Sequence, residues 1–169
     1  MKEVETVEFW RRRVFETIGT GKDLHHIIWD IDYAIWCSCQ EHTASIIKEV
    51  IPPHSSILDV GCGYGALYEC LQRTDTMAPE GLVYTGLDIS PDLLELAKYR
   101  HPTQKFVLGD ARSMPFHDDE FDWVICRQMS RMIIDNTGMW EEIERELKRV
   151  GRQVLSIEYD GPMEWKILK

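Results

Sequence analysis

"ILDVGCGYGALYEC", residues 57–70, changes character twice within a few positions. Ile57–Val60 is a short apolar run of strand type, Gly61, Gly63 and Gly65 follow, and a helix-type stretch begins at Ala66. Glycine lets the backbone turn sharply and lets a ligand approach with no Cβ in the way. In open α/β sheets the carboxyl end of a strand is where ligands sit. The stretch therefore reads as a strand, a ligand-binding turn and a helix.

Outward from this turn, strand-type and helix-type runs alternate. "SILDV", "LVYTGLDI", "KFVLGD", "DWVICR" and "RQVLSIEY" are short runs rich in β-branched and aromatic residues, as buried parallel strands are. Between them lie "ALYECLQR", "SPDLLELAKYR", a short helix after residue 128 and "GMWEEIERELKRV". Ser90 and Pro91 suit an N-cap and first helical position. Trp140, Ile143, Leu147 and Val150 make a core-facing stripe. Repeated βα units predict an α/β fold, a doubly wound, mostly parallel sheet with helices on both faces.

Residues 1–51 lack the alternation and read as a helical N-terminal cap on an α/β core at 52–169, the whole a single domain. Val7, Trp10, Val14 and Ile18 recur at helical spacing until Gly19 and Gly21. Asp23 opens a second helix with Leu24, Ile27, Ile28, Ile31 and Ile35 on one face and Trp29, Tyr33 and Trp36 on another. A third carries Ala44, Ile47, Val50 and Ile51, and stops before Pro52.

The 169 residues suit one domain, and 44% hydrophobic with 28% charged is ordinary globular composition. A net charge of −10 argues against a nucleic-acid partner. The basic run Arg11–Arg13 lies among Glu3, Glu5, Glu8 and Glu16 and reads as a solvated helix face. No run has the length of a membrane span, and no signal-peptide core precedes the first helix. Five cysteines without such a signal suggest reduced thiols, hence a soluble, cytoplasmic protein. "CSC" at 37–39 lacks paired metal-ligand spacing, so no metal is expected. The sequence fixes no oligomeric state.

The glycine turn fits two cofactors. Gly61-x-Gly63-x-Gly65 suits an S-adenosyl-L-methionine turn, and Gly61-x-Gly63-x-x-Ala66 suits the dinucleotide fingerprint. Asp88, ending the second strand in "GLDIS", can accept from both hydroxyls of an adenosine ribose in either case. Asp110, in "GDARSMPF", is placed to take an adenine amino group, with the Ala111 N–H toward a ring nitrogen. Asp59, Asp88 and Asp110 make three carboxylates, which suit a cationic sulfonium and ammonium better than a pyrophosphate.

With "LDVGCGYG", "GLDIS", "GDARSMPF" and "FDWV" in this order, residues 55–158 resemble the class I S-adenosylmethionine-dependent methyltransferases, the group with "GDAxxxPF" that acts on small molecules. The resemblance implies a Rossmann-like fold. It implies that Gly61, Cys62, Gly63 and Gly65 border the methionine portion of the cofactor. Asp59 would support the turn and the ammonium group, and Asp88 would hold the ribose. Ile89 would pack on adenine, while Asp110 and Ala111 read its edge. Arg127 and Gln128 would lie beside the methionine moiety or the acceptor. Family members carry a helix and an antiparallel strand pair after the fifth strand. Here "DGPMEWKILK" suggests a shortened C-terminal end with one antiparallel strand.

Structural alternatives stand beside these roles. Cys62 reads as a space-filler, Arg127 as a member of an ion pair, and the face of Trp29, Tyr33 and Trp36 as core or as acceptor cover. Methyl transfer needs a general base only when the acceptor must lose a proton. The catalytic residues are therefore left unknown; Glu158 and Tyr159 are candidates by position, and His25 and His26 weaker ones. Trp36, Gln128, Glu158 and Tyr159 form the expected acceptor side. A nicotinamide-dependent oxidoreductase is the competing enzyme reading. A non-catalytic S-adenosylmethionine-binding subunit that needs a partner is the third.

Overall fold

Six strands form one sheet in the order β3-β2-β1-β4-β5-β6. They are β1 (Ser56–Val60), β2 (Val83–Asp88), β3 (Lys105–Leu108), β4 (Phe121–Arg127), β5 (Gly151–Glu158) and β6 (Glu164–Ile167). The first five run parallel, and β6 pairs antiparallel with β5. The helices are α1 (Glu3–Thr20), α2 (Tyr33–Val50), α3 (Ala66–Arg73), α4 (Pro91–Arg100) and α5 (Thr137–Val150). The structure is a computed structural model and describes residues 3–20, 25, 33–73, 78–129, 137–158 and 164–169.

The order of strands reverses at β1. The chain moves outward from β1 to β2 and β3, then crosses back to β4 on the other side. The carboxyl ends of β1 and β4 thus flank a switch point, where a doubly wound sheet leaves a crevice. β1 is almost completely buried, and its apolar side chains Ile57, Leu58 and Val60 are shared between both faces. On one face Ile57, Tyr84, Phe106, Ile125 and Leu155 pack beneath Ile47 of α2, Leu67 of α3 and Leu94 of α4. On the other, Leu58, Val60, Val124 and Val154 pack against Ile143, Leu147 and Val150 of α5. At the amino edge, the Asp122 carboxylate accepts from the Ser56 N–H at 2.9 Å and hydroxyl at 2.8 Å and ties β4 to β1.

A third cluster sits at the other edge. Trp10 and Val14 of α1 and Trp36 of α2 enclose Tyr64 from the glycine turn, Ala66 at the start of α3 and Leu93 at the start of α4. Arg11 reaches Asp92 at 3.1 Å and adds an exposed ion pair between α1 and α4. The N-terminal helices thus pack where the strands deliver their carboxyl ends.

Three readings of the N-terminal region change. Ile18 is 57% exposed, and the buried line of α1 runs Trp10, Val14, Thr17. A spacing of four then three follows the 3.6-residue turn more closely than a repeated four does. Ile35 is likewise 57% exposed while Trp36 is buried and Tyr33 is exposed, so Trp36 alone of the described aromatic residues on that face meets the protein core. Tyr33 to Val50 is also one continuous helix, with no break between the expected second and third helices. Of the residues expected between 23 and 32, only His25 is described; Trp29, His26 and the short helix after 128 lie outside the described residues.

Candidate functional site

All three glycines of the turn have positive φ: 76° at Gly61, 56° at Gly63 and 84° at Gly65. L-residues with a Cβ rarely adopt these angles. At Gly65 there is a second reason for glycine, since a Cβ there would lie 2.8 Å from Cδ2 of His101. The turn is fastened to β2: the N–H groups of Gly61 and Cys62 both donate to the Leu87 carbonyl, at 2.8 and 3.0 Å.

Asp88 completes the fastening. Its Oδ2 accepts from the Gly63 N–H and its Oδ1 from the Ser90 N–H, each at 2.8 Å. Ser90 in turn caps α4, its hydroxyl accepting from the Leu93 N–H. One carboxylate thus joins the glycine turn to the start of the next helix. Burial pushes its pKa up to about 6, against the lowering effect of the Ser90, Gly63 and Ile89 N–H groups. A carboxylate offers about four lone-pair positions, so it can accept from a further donor.

Asp59 takes a different partner from the expected one. It is buried, and its Oδ2 accepts from the Tyr84 hydroxyl at 2.8 Å, with no bond to the glycine loop. Its Oδ1 is buried without a hydrogen-bond partner. Burial raises its pKa, and the nearby Arg127 charge opposes that rise. Arg127 itself donates from Nη1 to Oε1 of Gln40 on α2, at 2.9 Å. Tyr84, Gly86 and Asp88 alternate onto one face of β2, the face that Ile57 and Asp59 share on β1. The Tyr84–Asp59 contact was thus within reach of strand alternation plus parallel pairing. No sequence signal marks Gln40.

Cys62 is a space-filler on its side-chain side. Its Sγ lies above Gly86, where an added Cβ would come within 2.7 Å. Burial and the charges of Asp88 and Asp59 hold its thiol far above the ordinary range, so it is no nucleophile. Only its backbone remains to border a ligand. Ile89 is half-buried beside Asp88, available to an adenine face. Ala111 is buried among Leu87, Met114 and Phe116.

Asp110 does not stand free. Arg112 donates to it from its backbone N–H at 2.8 Å and grips both carboxylate oxygens through the guanidinium. The rest of "GDARSMPF" is held from below by α5. Glu146 accepts from the Met114 N–H, and Arg149 donates to the carbonyls of Met114 and Phe116. Much of that motif is therefore scaffold.

On the acceptor side, Trp36 is buried, its ring 6.0 Å from that of Tyr33 and 5.8 Å from that of His25. His25 is 3% exposed within this aromatic group. Gln128 follows β4 with φ 57° and its side chain buried. Glu158 ends β5 half-buried, and Tyr159 lies outside the described residues. The structure brings Asp59, Asp88, Cys62 and Arg127 close enough for their charges to act on one another. Among the described residues there is no group of three His, Cys, Asp or Glu able to hold a metal, and no helix long and apolar enough to cross a membrane.

Residues 58–155 match the family model of the methyltransferase domain. A demethylmenaquinone methyltransferase of Thermotoga maritima is 33% identical over 143 residues, 85% of this chain and 59% of that protein. One of Staphylococcus aureus is 31% identical over 155 residues, 89% of this chain and 60% of that protein. The chain thus spans about three fifths of the length of these curated relatives. Among solved structures, a SAM-dependent methyltransferase of Methanosarcina mazei superposes with a TM-score of 0.59 at 23% identity, over 69% of this chain and 58% of that one. With its glycine turn, Asp88 and the switch in strand order inside the matched segment, the chain belongs to the methyltransferase-domain family.

Proposed function

We propose that the protein transfers a methyl group from S-adenosyl-L-methionine to a small-molecule acceptor. The observation that carries this reading is Asp88, a buried carboxylate at the end of β2 that accepts from the Gly63 and Ser90 N–H groups and so sits fixed beside the glycine turn. When bound, the cofactor supplies a methyl group already activated on a sulfonium. The protein's part is position and electrostatics. Asp88 holds the ribose, and the backbone of Gly61–Gly65 turns around the methionine portion. Ile89 packs on adenine, while Asp110, oriented by Arg112, reads its amino group beside Ala111. Asp59 places negative charge beneath the turn, toward an ammonium, and Arg127 balances it. Residues 1–51 act as the cap of the same domain, whose core is 52–169.

The relatives' acceptor is a demethylated menaquinone by name. An aromatic, oxygen-bearing acceptor is part of the proposal here, supported by Tyr33 and Trp36 near the turn. A cytoplasmic place of action also belongs to it, supported by five cysteines that are all free thiols. The nicotinamide reading is the alternative to exclude. S-adenosylhomocysteine should bind the protein and raise its melting temperature at saturation, as a native-state ligand does. A shift with NAD and none with S-adenosylhomocysteine would reverse the assignment. Transfer of a labelled methyl group to a quinol panel then separates an enzyme from a non-catalytic binding subunit.

A further inference from the structure

Two polar residues interrupt the buried stripe of α2. Trp36, Ala44 and Ile47 are its apolar members, and Gln40 and Thr43 are buried among them. The Thr43 hydroxyl donates to the Cys39 carbonyl of its own helix at 2.9 Å. Gln40 reaches out of the helix instead. Its Oε1 accepts from Nη1 of Arg127, the last residue of β4, at 2.9 Å. A buried amide is costly unless it is bonded, and an apolar side chain would fill such a stripe without that cost. The polarity at position 40 therefore points to its partner.

That partner acts on Asp59. In the β1–β4 register Asp59 is level with Ile125, and Arg127 follows two residues on, so Asp59 and Arg127 share one face of the sheet. It is the face that α2 covers. The groups whose charge or hydrogen bond couples to Asp59 are Tyr84 and Asp88 of β2, Cys62 of the turn, and Cys126 and Arg127 of β4. Burial holds Tyr84, Cys62 and Cys126 far above their ordinary ranges, so they stay neutral, and Asp88 adds negative charge. Arg127 is the cation that favours the ionised form of Asp59 against burial. A carboxylate buried without a counter-charge takes up a proton.

Resting on the methyl-transfer reading above, we infer that Gln40 is a positioning residue of the N-terminal cap: it holds the Arg127 guanidinium within reach of Asp59, and so fixes the charge that the amino-acid end of the cofactor meets. Gln40 acts through Arg127 and not by contact with the cofactor. Without its acceptor the guanidinium is no longer held there, and Asp59 takes up a proton at a higher pH than before. A neutral Asp59 does not attract an ammonium. The effect is therefore greatest at low pH and fades as pH rises.

The test titrates S-adenosylhomocysteine and 5′-methylthioadenosine into the full chain at pH 6.5 and pH 8.0. The second ligand keeps the adenosine and the sulfur and lacks the amino-acid end. Both place the same ribose on Asp88, so the ratio of their affinities isolates Asp59. The wild type should give the same ratio at both pH values. Gln40→Met keeps the length and removes the acceptor. It should lower the preference for S-adenosylhomocysteine about fivefold or more at pH 6.5, and less at pH 8.0. Arg127→Met should lose the same preference with the same pH dependence, and the double variant should lose no more, because the two residues act as one unit. Equal loss of both ligands in Gln40→Met would make Gln40 a packing residue and overturn the inference. So would an unchanged ratio in Gln40→Met or in Arg127→Met, a loss independent of pH, or losses that add in the double variant. Failure of the wild type to bind either ligand would instead remove the underlying methyl-transfer reading.

Discussion

On the proposed function, Asp88 has two duties with opposite pH requirements. Its folded pKa of about 6 lies above the ordinary 3.8, so the proton binds more tightly to the folded state. Its stabilising contribution is complete below about pH 4 and is lost as pH rises through about 6. Ribose binding runs the other way, because only the ionised carboxylate accepts from both hydroxyls. The rise in melting temperature given by S-adenosylhomocysteine should therefore be larger at pH 7.5 than at pH 5. Asp88→Asn should flatten that difference, and a wild-type response independent of pH would remove Asp88 from the ribose site. Gly65→Ala tests the turn itself. It forces a side chain into φ 84° and against His101, at a cost of about 1–3 kcal/mol measurable by urea unfolding. Tyr84→Phe leaves both oxygens of the buried Asp59 without a hydrogen-bond donor, and should cost about 1–3 kcal/mol in the same assay. Wild-type stability in Tyr84→Phe would mean that the pair is an accident of packing.

Helix α1 is attached to the site and does more than cover it. Trp10 and Val14 press on Tyr64, which sits between Gly63 and Gly65. Trp10→Ala should lower stability by about 3 kcal/mol, the usual cost of truncating a buried tryptophan. It should also weaken S-adenosylhomocysteine, because the turn loses the wall that holds Tyr64. Lowered stability with unchanged affinity, compared below both melting temperatures, would show that the turn holds its shape without α1. Elements of the α/β core were legible because their signals are local. The run from Ile57 to Val60 is too short and too apolar for anything but a buried strand, and Ser90-Pro91 starts a helix by its own chemistry. Within "MEWKIL", Glu164–Ile167 pairs antiparallel with β5, as expected. Helices α1 and α2 were less legible, because their apolar residues lie nearly all round. Only the tertiary contact with Tyr64 decides that Trp10, Val14 and Trp36 are inside while Ile18 and Ile35 are outside.

At the scale of the whole molecule, a single arrangement links fold to function. The order of strands reverses at β1, the glycine turn follows β1, and Met129 after β4 lies against Gly61. The sharp turn at the glycines and the place of Asp88 at the end of β2 were readable in advance, because both follow from local sequence. The partners of Asp110 and Arg127 were not, because each bond depends on side-chain reach: to Arg112 and across the chain to Gln40. Nor does any local pattern announce a positive φ at a glutamine. The central claim is that this site holds S-adenosyl-L-methionine with its ribose on Asp88. Isothermal titration of S-adenosylhomocysteine at pH 7.5 into the wild type and into Asp88→Ala, with NAD as the competing ligand, tests it most directly. The account predicts one site per chain, no heat from NAD, and at least tenfold weaker binding in Asp88→Ala, since two charge-assisted hydrogen bonds of about 1.5–3 kcal/mol each are lost. Equal affinity in the two proteins, or binding of NAD in place of S-adenosylhomocysteine, would contradict it.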